Sequence, residues 1–115
     1  MLVSIEVPIP QLFDEIERWG FGYLLTVSDD ERTHLLALTP AVHGEGDDRV
    51  LRFDAGGGRA CRHAAVRPSV SAVFPPTADS DGMSLVVDGE ASVDGDVVDV
   101  RPTRALLHRK APPAP

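Results

Sequence analysis

Arg59, Arg62, His63 and Arg67 lie between Asp54 and Asp79, a stretch that contains no acidic residue, in a chain whose formal charge is −7. The three arginines give this stretch a local excess of +3, and a cationic island in an anionic chain predicts a bound anion. On a helix, Arg59, Arg62 and His63 fall at i, i+3 and i+4 and share one face. Ala60, Cys61, Ala64 and Ala65 are left as a small-residue face able to approach a sheet closely. Gly56, Gly57 and Gly58 come just before. Glycines there can adopt positive φ and aim backbone N–H groups outward at a helix start, where the dipole also favours negative charge. Together these residues describe a phosphate seat. The competing reading pairs the three arginines with acids of the same chain and makes the glycines a simple turn.

Other chemistries find less support. No Lys-Ser or Lys-Thr follows the glycines, and Gly56-x-Gly58 continues as Arg-Ala-Cys, so neither a Walker loop nor the dinucleotide fingerprint is present. His34, His43, His63 and His108 lie in separate segments without HxH, HxxxH or HExxH spacing, and no metal site is expected. Ser28, Ser71 and Ser84 lack the G-x-S-x-G context of a hydrolase. Cys61 reads as a buried small hydrophobe. Trp19, Tyr23 and Phe74 are needed for a core in a chain with only 5% aromatic residues. A second acid-free stretch, RPTRALLHRK at 101 to 110, reads as solvated and receives no role.

The elements that must position the island follow from period and punctuation. Residues 8 to 19 place Leu12, Phe13, Ile16 and Trp19 at helical spacing opposite Asp14, Glu15, Glu17 and Arg18, which predicts a short amphipathic helix closed by Gly20. Strand composition follows at 21 to 28 and 34 to 42 around the loop DDERT, and again at 49 to 54. Residues 59 to 67 predict a short helix stopped by Pro68. Three more strands are expected at 69 to 74, 83 to 93 and 97 to 101, the last two joined by Asp94-Gly95, with Gly89 marking a bulge or bend. Six short strands bury most when rolled into a closed sheet. The fold expected is therefore mainly β, a six-stranded antiparallel barrel with short flanking helices. It forms one domain over 1 to 110, with a frayed Pro-rich tail at 111 to 115, and a homodimer is expected.

Composition bounds the partners. At 115 residues, 43% hydrophobic and 25% charged, the chain has ordinary globular composition. Eighteen acids against eleven bases give the wrong sign for nucleic acid. No apolar run reaches the ~20 residues of a membrane span, and no signal segment is expected. One cysteine forbids an internal disulfide, and a cytoplasmic location is expected.

The segment FDAGGGRACRHAAVRPSVSAVFPP at 53 to 76 carries a family resemblance together with its flanks, GYLLTVSDDERTHLLALTPAVHGEGDDRVL before it and MSLVVDGEASVDGDVVDVRPTRALLHR after it. Over residues 8 to 110 the chain resembles small bacterial members of the pyridoxamine 5′-phosphate oxidase-like, FMN-binding split-barrel superfamily. The resemblance implies a six-stranded split barrel that dimerises, with flavin in a groove at the dimer interface. It implies that Arg59 and Arg62 hold the cofactor phosphate beside Gly58 and His63, and that Leu38 and Thr39 lie under the ring. FMN is the implied cofactor, with deazaflavin or haem in some relatives. The chain stops before the C-terminal substrate segment of true pyridoxamine phosphate oxidases, so that reaction is not expected. Two functions stay open: a flavin-dependent oxidoreductase of unknown small-molecule substrate, and a non-catalytic dimeric binding protein on the same fold that holds no flavin.

Overall fold

The computed structural model describes residues 2 to 110, so the expected Pro-rich tail at 111 to 115 lies outside the described residues. Eight strands and two helices follow in the order β1 (Leu2–Val7), α1 (Ile9–Glu15), β2 (Gly22–Val27), β3 (Thr33–Leu38), β4 (Ala41–His43), β5 (Val50–Asp54), α2 (Gly58–Val66), β6 (Ser69–Phe74), β7 (Ser84–Asp94) and β8 (Val97–Lys110). All pairings are antiparallel. The sheet runs β3-β2-β6-β7-β8-β5-β4, with β1 added on β8. It curls into a split barrel, the mainly β class that the sequence predicts, although the strands number eight rather than six.

The two additional strands are β4 and β1. The segment 34 to 42 is not one strand: Thr39-Pro40 breaks it, so that β3 pairs with β2 while β4 crosses to β5. That break opens the barrel between β3 and β4. At the other end, the segment 101 to 110 is no solvated tail, because β8 continues through it to pair with β7 and β1. Proline in mid-strand normally ends pairing. Here Pro102 sits opposite Gly89, at the register shift between Asp88 and Gly89, where the ladder is already interrupted. Gly89 does mark the bulge: a Cβ there would lie 2.5 Å from the Arg101 carbonyl oxygen.

The alternation of β2, β6 and β7 sends Leu24, Val70, Ala72, Phe74, Leu85 and Val87 inward, to meet Leu51, Phe53, Val98, Val100 and Ala105. Each large side chain so buried contributes about 1.5–3 kcal/mol. Helix α1, with Pro8 before it and a 3₁₀ turn over Ile16–Arg18 after it, lays Leu12, Phe13, Ile16 and Trp19 on this core. The Trp19 indole donates to the Met83 carbonyl at 3.0 Å, joining this segment to the approach to β7. Gly20 ends the segment at φ 66°. Gly22 has a further role, since a Cβ there would lie 2.5 Å from the buried Phe74 ring.

Candidate functional site

Helix α2 begins where backbone conformation leaves few choices. Gly56, Gly57 and Gly58 all have positive φ, at 64°, 81° and 71°, a region that side chains with a Cβ enter at a cost. At Gly57 a Cβ would also stand 2.9 Å from Asp96 Oδ1. The N-cap residue is Gly57 itself, with no side-chain cap, so the first N–H groups of the helix are left for solvent or a ligand. Ala60, Cys61 and Ala64 are buried and let α2 lie close against the sheet. Ala65, expected on the same face, is instead exposed on the groove side.

The opposite face of α2 presents Arg59 and Arg62, both exposed, and the half-buried His63. Among the described residues neither Arg59 nor Arg62 has a carboxylate within ion-pair distance. Arg67 donates at 3.5 Å to the Asp29 main-chain oxygen rather than to a carboxylate. The charges of the island are thus left without protein counterions, although Asp29 and Asp30 of the β2–β3 turn stand nearby across a groove.

That groove has two adjoining lobes that share Ser28, Asp30 and His63. One, of about 590 Å³, is lined by Arg62, His63, Ala65 and Val66 with Ser28, Asp29 and Asp30. The other, of about 290 Å³, is lined by Arg59, His63, His34, Arg32 and Thr33 with the same Ser28 and Asp30. His63 is held from two sides. Its ring meets that of His34 edge to face, with centroids 5.6 Å apart. Its Nδ1 lies 3.5 Å from Oγ1 of the fully buried Thr26. At the turn, Asp30 pairs with Arg32 at 3.4 Å and accepts a hydrogen bond from the Ser28 hydroxyl.

The structure therefore brings Arg59, Arg62, His63 and Gly58 to one end of α2 and adds Thr26, Ser28, Asp30, Arg32 and His34, which sequence reasoning missed. Nothing local signals them. Thr26 and His34 face each other in the β2–β3 ladder, roughly thirty residues before α2, and meet His63 only because α2 packs across these strands. The one hint is a histidine, His34, just before the apolar run at 35 to 38. Leu38 and Thr39 stand apart from this cluster. Leu38 packs half-buried against the core, and Thr39 borders a separate groove with Ile16, Glu17, Pro40, Ala41 and Val42.

A second polar cluster lies on β4, β5 and β8. Arg52 grips Asp99 with two hydrogen bonds, Nε to Oδ1 at 2.8 Å and Nη2 to Oδ2 at 2.9 Å, and its Nη1 lies 3.3 Å from His43 Nδ1. The hydrogen bond from Arg52 holds the Asp99 carboxyl below the usual carboxylate range. No group of three or more His, Cys, Asp or Glu side chains could hold a metal ion among the described residues. Nor is any described helix long and apolar enough to cross a membrane.

No family model matches the chain. An uncharacterized protein of Mycobacterium bovis, Mb0449c, is 35% identical over 120 residues, covering 94% of this chain and 84% of its own. The uncharacterized protein MT0457 of Mycobacterium tuberculosis matches to the same extent. Among solved structures, the FAD binding protein from Mycobacterium smegmatis superposes with a TM-score of 0.65 at 19% identity, covering 94% of this chain and all of that one. An F420 reductase gives a TM-score of 0.62 at 21% identity, covering 80% of this chain and 93% of that one. A FAD-binding protein from Mesorhizobium loti also gives 0.62, at 13% identity, covering 96% of this chain and all of that one. At these identities the likeness to solved structures is one of fold, and it agrees with the split barrel described above. The relatives at 35% identity carry more weight, and by them the chain belongs to the family of the mycobacterial proteins Mb0449c and MT0457.

Proposed function

We propose that the protein is a homodimeric split-barrel protein that binds a phosphorylated flavin-type cofactor, FMN, and has an oxidoreductase role through that cofactor. The observation that carries this reading is the pair of guanidinium groups on Arg59 and Arg62, without protein counterions among the described residues and beside a groove, in a chain of charge −7. Guanidinium groups favour phosphate through charge-assisted, often bidentate hydrogen bonds. The open N–H groups after the three glycines add to the same preference. His63, buttressed by Thr26 and His34, gives the seat a fixed wall. Structures of the same fold include FAD-binding proteins and an F420 reductase, which supports a flavin or deazaflavin over other anions.

Strand β3 links the seat to the residues expected under the ring. From Thr33, on the arginine lobe, to Leu38 is five residues, about 17 Å of extended chain, and a flavin mononucleotide laid along β3 would reach Leu38 and Thr39 with its ring. When bound, a flavin supplies hydride or electron transfer at its ring. The chain's own residues then bind the phosphate, fix the ligand's direction along β3 and keep water from one side of it.

The dimer is proposed through the outer face of the sheet. Ala37, Tyr23, Val73, Val86 and Leu106 stand opposite one another on successive strands and form an apolar row across five of them. Tyr23 is 38% exposed and neighbouring Leu35 55%. A contiguous apolar row of this kind on a sheet face marks an association surface, and the commonest closed arrangement is a two-fold dimer.

The test compares FMN with riboflavin, which lacks the phosphate. Wild-type protein is expected to retain FMN on desalting and to quench its fluorescence. Arg59→Ala with Arg62→Ala should weaken FMN by about tenfold or more, near 1.4 kcal/mol, and leave riboflavin almost unchanged. Equal losses for both ligands would put the phosphate elsewhere. Failure of the wild type to bind any flavin would favour the non-catalytic dimer.

A further inference from the structure

The break at Thr39-Pro40 does more than open the barrel. Between the 3₁₀ turn after α1 and the start of β4 it leaves a groove of about 450 Å³, within the size range of small-molecule sites. Ile16, Pro40, Ala41 and Val42 wall it, with Thr39 and Gly20 at its edge. Val42 is 40% exposed, apolar surface that nothing in the chain covers. Glu17 is the one ionisable side chain on the lining. Among the described residues its carboxylate takes part in no ion pair.

An apolar slot with a single unpaired carboxylate has a definite preference. Glu17 is exposed, and a cation bearing N–H groups gains a charge-assisted hydrogen bond to it. A neutral molecule of the same shape forgoes the attraction between ammonium and carboxylate, and an anion meets repulsion. The slot also lies at the Leu38–Thr39 end of β3, opposite the end occupied by Arg59 and His63.

We propose that this groove is the site of the protein's second ligand, an apolar or aromatic amine whose ammonium group pairs with Glu17. Its role as the substrate pocket rests on the flavin reading above, because only a ring lying along β3 would reach it; its preference for amines stands without that reading.

The experiment titrates the full chain, without flavin, with benzylamine, benzyl alcohol and benzoate, three probes of one shape and different charge, and follows backbone amide shifts by NMR. Benzylamine is expected to bind at least about threefold more tightly than benzyl alcohol and benzoate most weakly, with shifts at Gly20, Ala41 and Val42. Glu17→Gln should bring benzylamine to the affinity of benzyl alcohol without moving the melting temperature. Ala41→Trp, which fills the slot from an exposed position, should abolish binding of all three probes. Equal affinities in the wild type, a preference that survives Glu17→Gln, or shifts confined to other residues would each overturn the proposal. FMN titration of the same samples separates the two readings. Protein that shows Glu17-dependent amine binding but takes no FMN keeps the amine site and loses its role beside a flavin. Protein that takes FMN but shows no Glu17 dependence keeps the flavin and loses the amine site.

Discussion

Asp99 shows how a single contact ties the sheet to pH. Its carboxyl is held low chiefly by the hydrogen bond from Arg52, with the charges of Arg52 and His43 acting in the same direction against a desolvation that opposes them. A carboxyl whose folded value lies below its unfolded one adds stability above the unfolded value, about pH 4, and loses it as the pH falls through the folded value. The melting temperature should therefore fall on acidification below about pH 4, and Asp99→Asn should flatten that part of the profile while lowering the plateau at pH 7. An unchanged acid limb in the variant would assign the loss to other carboxylates. At this scale the site was half legible. Arg59, Arg62 and His63 could be read because one helix turn sets their spacing, whereas Thr26 and His34 could not, since their approach to His63 depends on tertiary packing.

Among the elements, β8 is the most instructive. The stretch 101 to 110 reads as solvated in sequence, yet the strand continues through it because the bulge at Gly89 spares Pro102 a ladder hydrogen bond it could not donate. Neither residue alone predicts the continuation. Their pairing does, and pairing is a long-range property. Gly89→Ala should destabilise the fold by about 1–3 kcal/mol, because the new methyl meets the Arg101 carbonyl, a main-chain group that cannot swing aside. Denaturant unfolding measures this, and a loss under about 0.5 kcal/mol, the range of ordinary surface substitutions, would mean that the bulge relaxes freely. The reverse holds at 34 to 42, where an apolar run with the composition of one strand conceals the Thr39-Pro40 step. Proline there withholds a donor, and the chain leaves β2 to join β5. By contrast, α1 is legible from apolar spacing, although its expected last turn tightens to 3₁₀ over Ile16–Arg18, and α2 is legible from the lack of a β-branched run before Pro68.

For the molecule as a whole, the outer row from Ala37 to Leu106 is the feature that a single barrel does not account for. Val86 stands in it between Val73 and Leu106 and points away from the core, so Val86→Lys should leave the fold intact and disfavour pairing of two copies. Light scattering after size exclusion should give twice the 12.3 kDa chain mass for the wild type and the single chain mass for the variant. A monomeric wild type would remove the dimer from the proposal and leave the phosphate seat untouched. The overall architecture was the most legible part of the sequence, since alternating short apolar segments with turn residues between them admit few arrangements. Which strands lie at the split was not, because that depends on one break in an apolar run.

Trp19 is the chain's single tryptophan, and at 2% exposure its indole is screened from water and fastened to the main chain near β7. The protein therefore carries a built-in optical probe, whose emission colour reports whether the N-terminal segment is seated on the barrel, with no dye attached and no cofactor required.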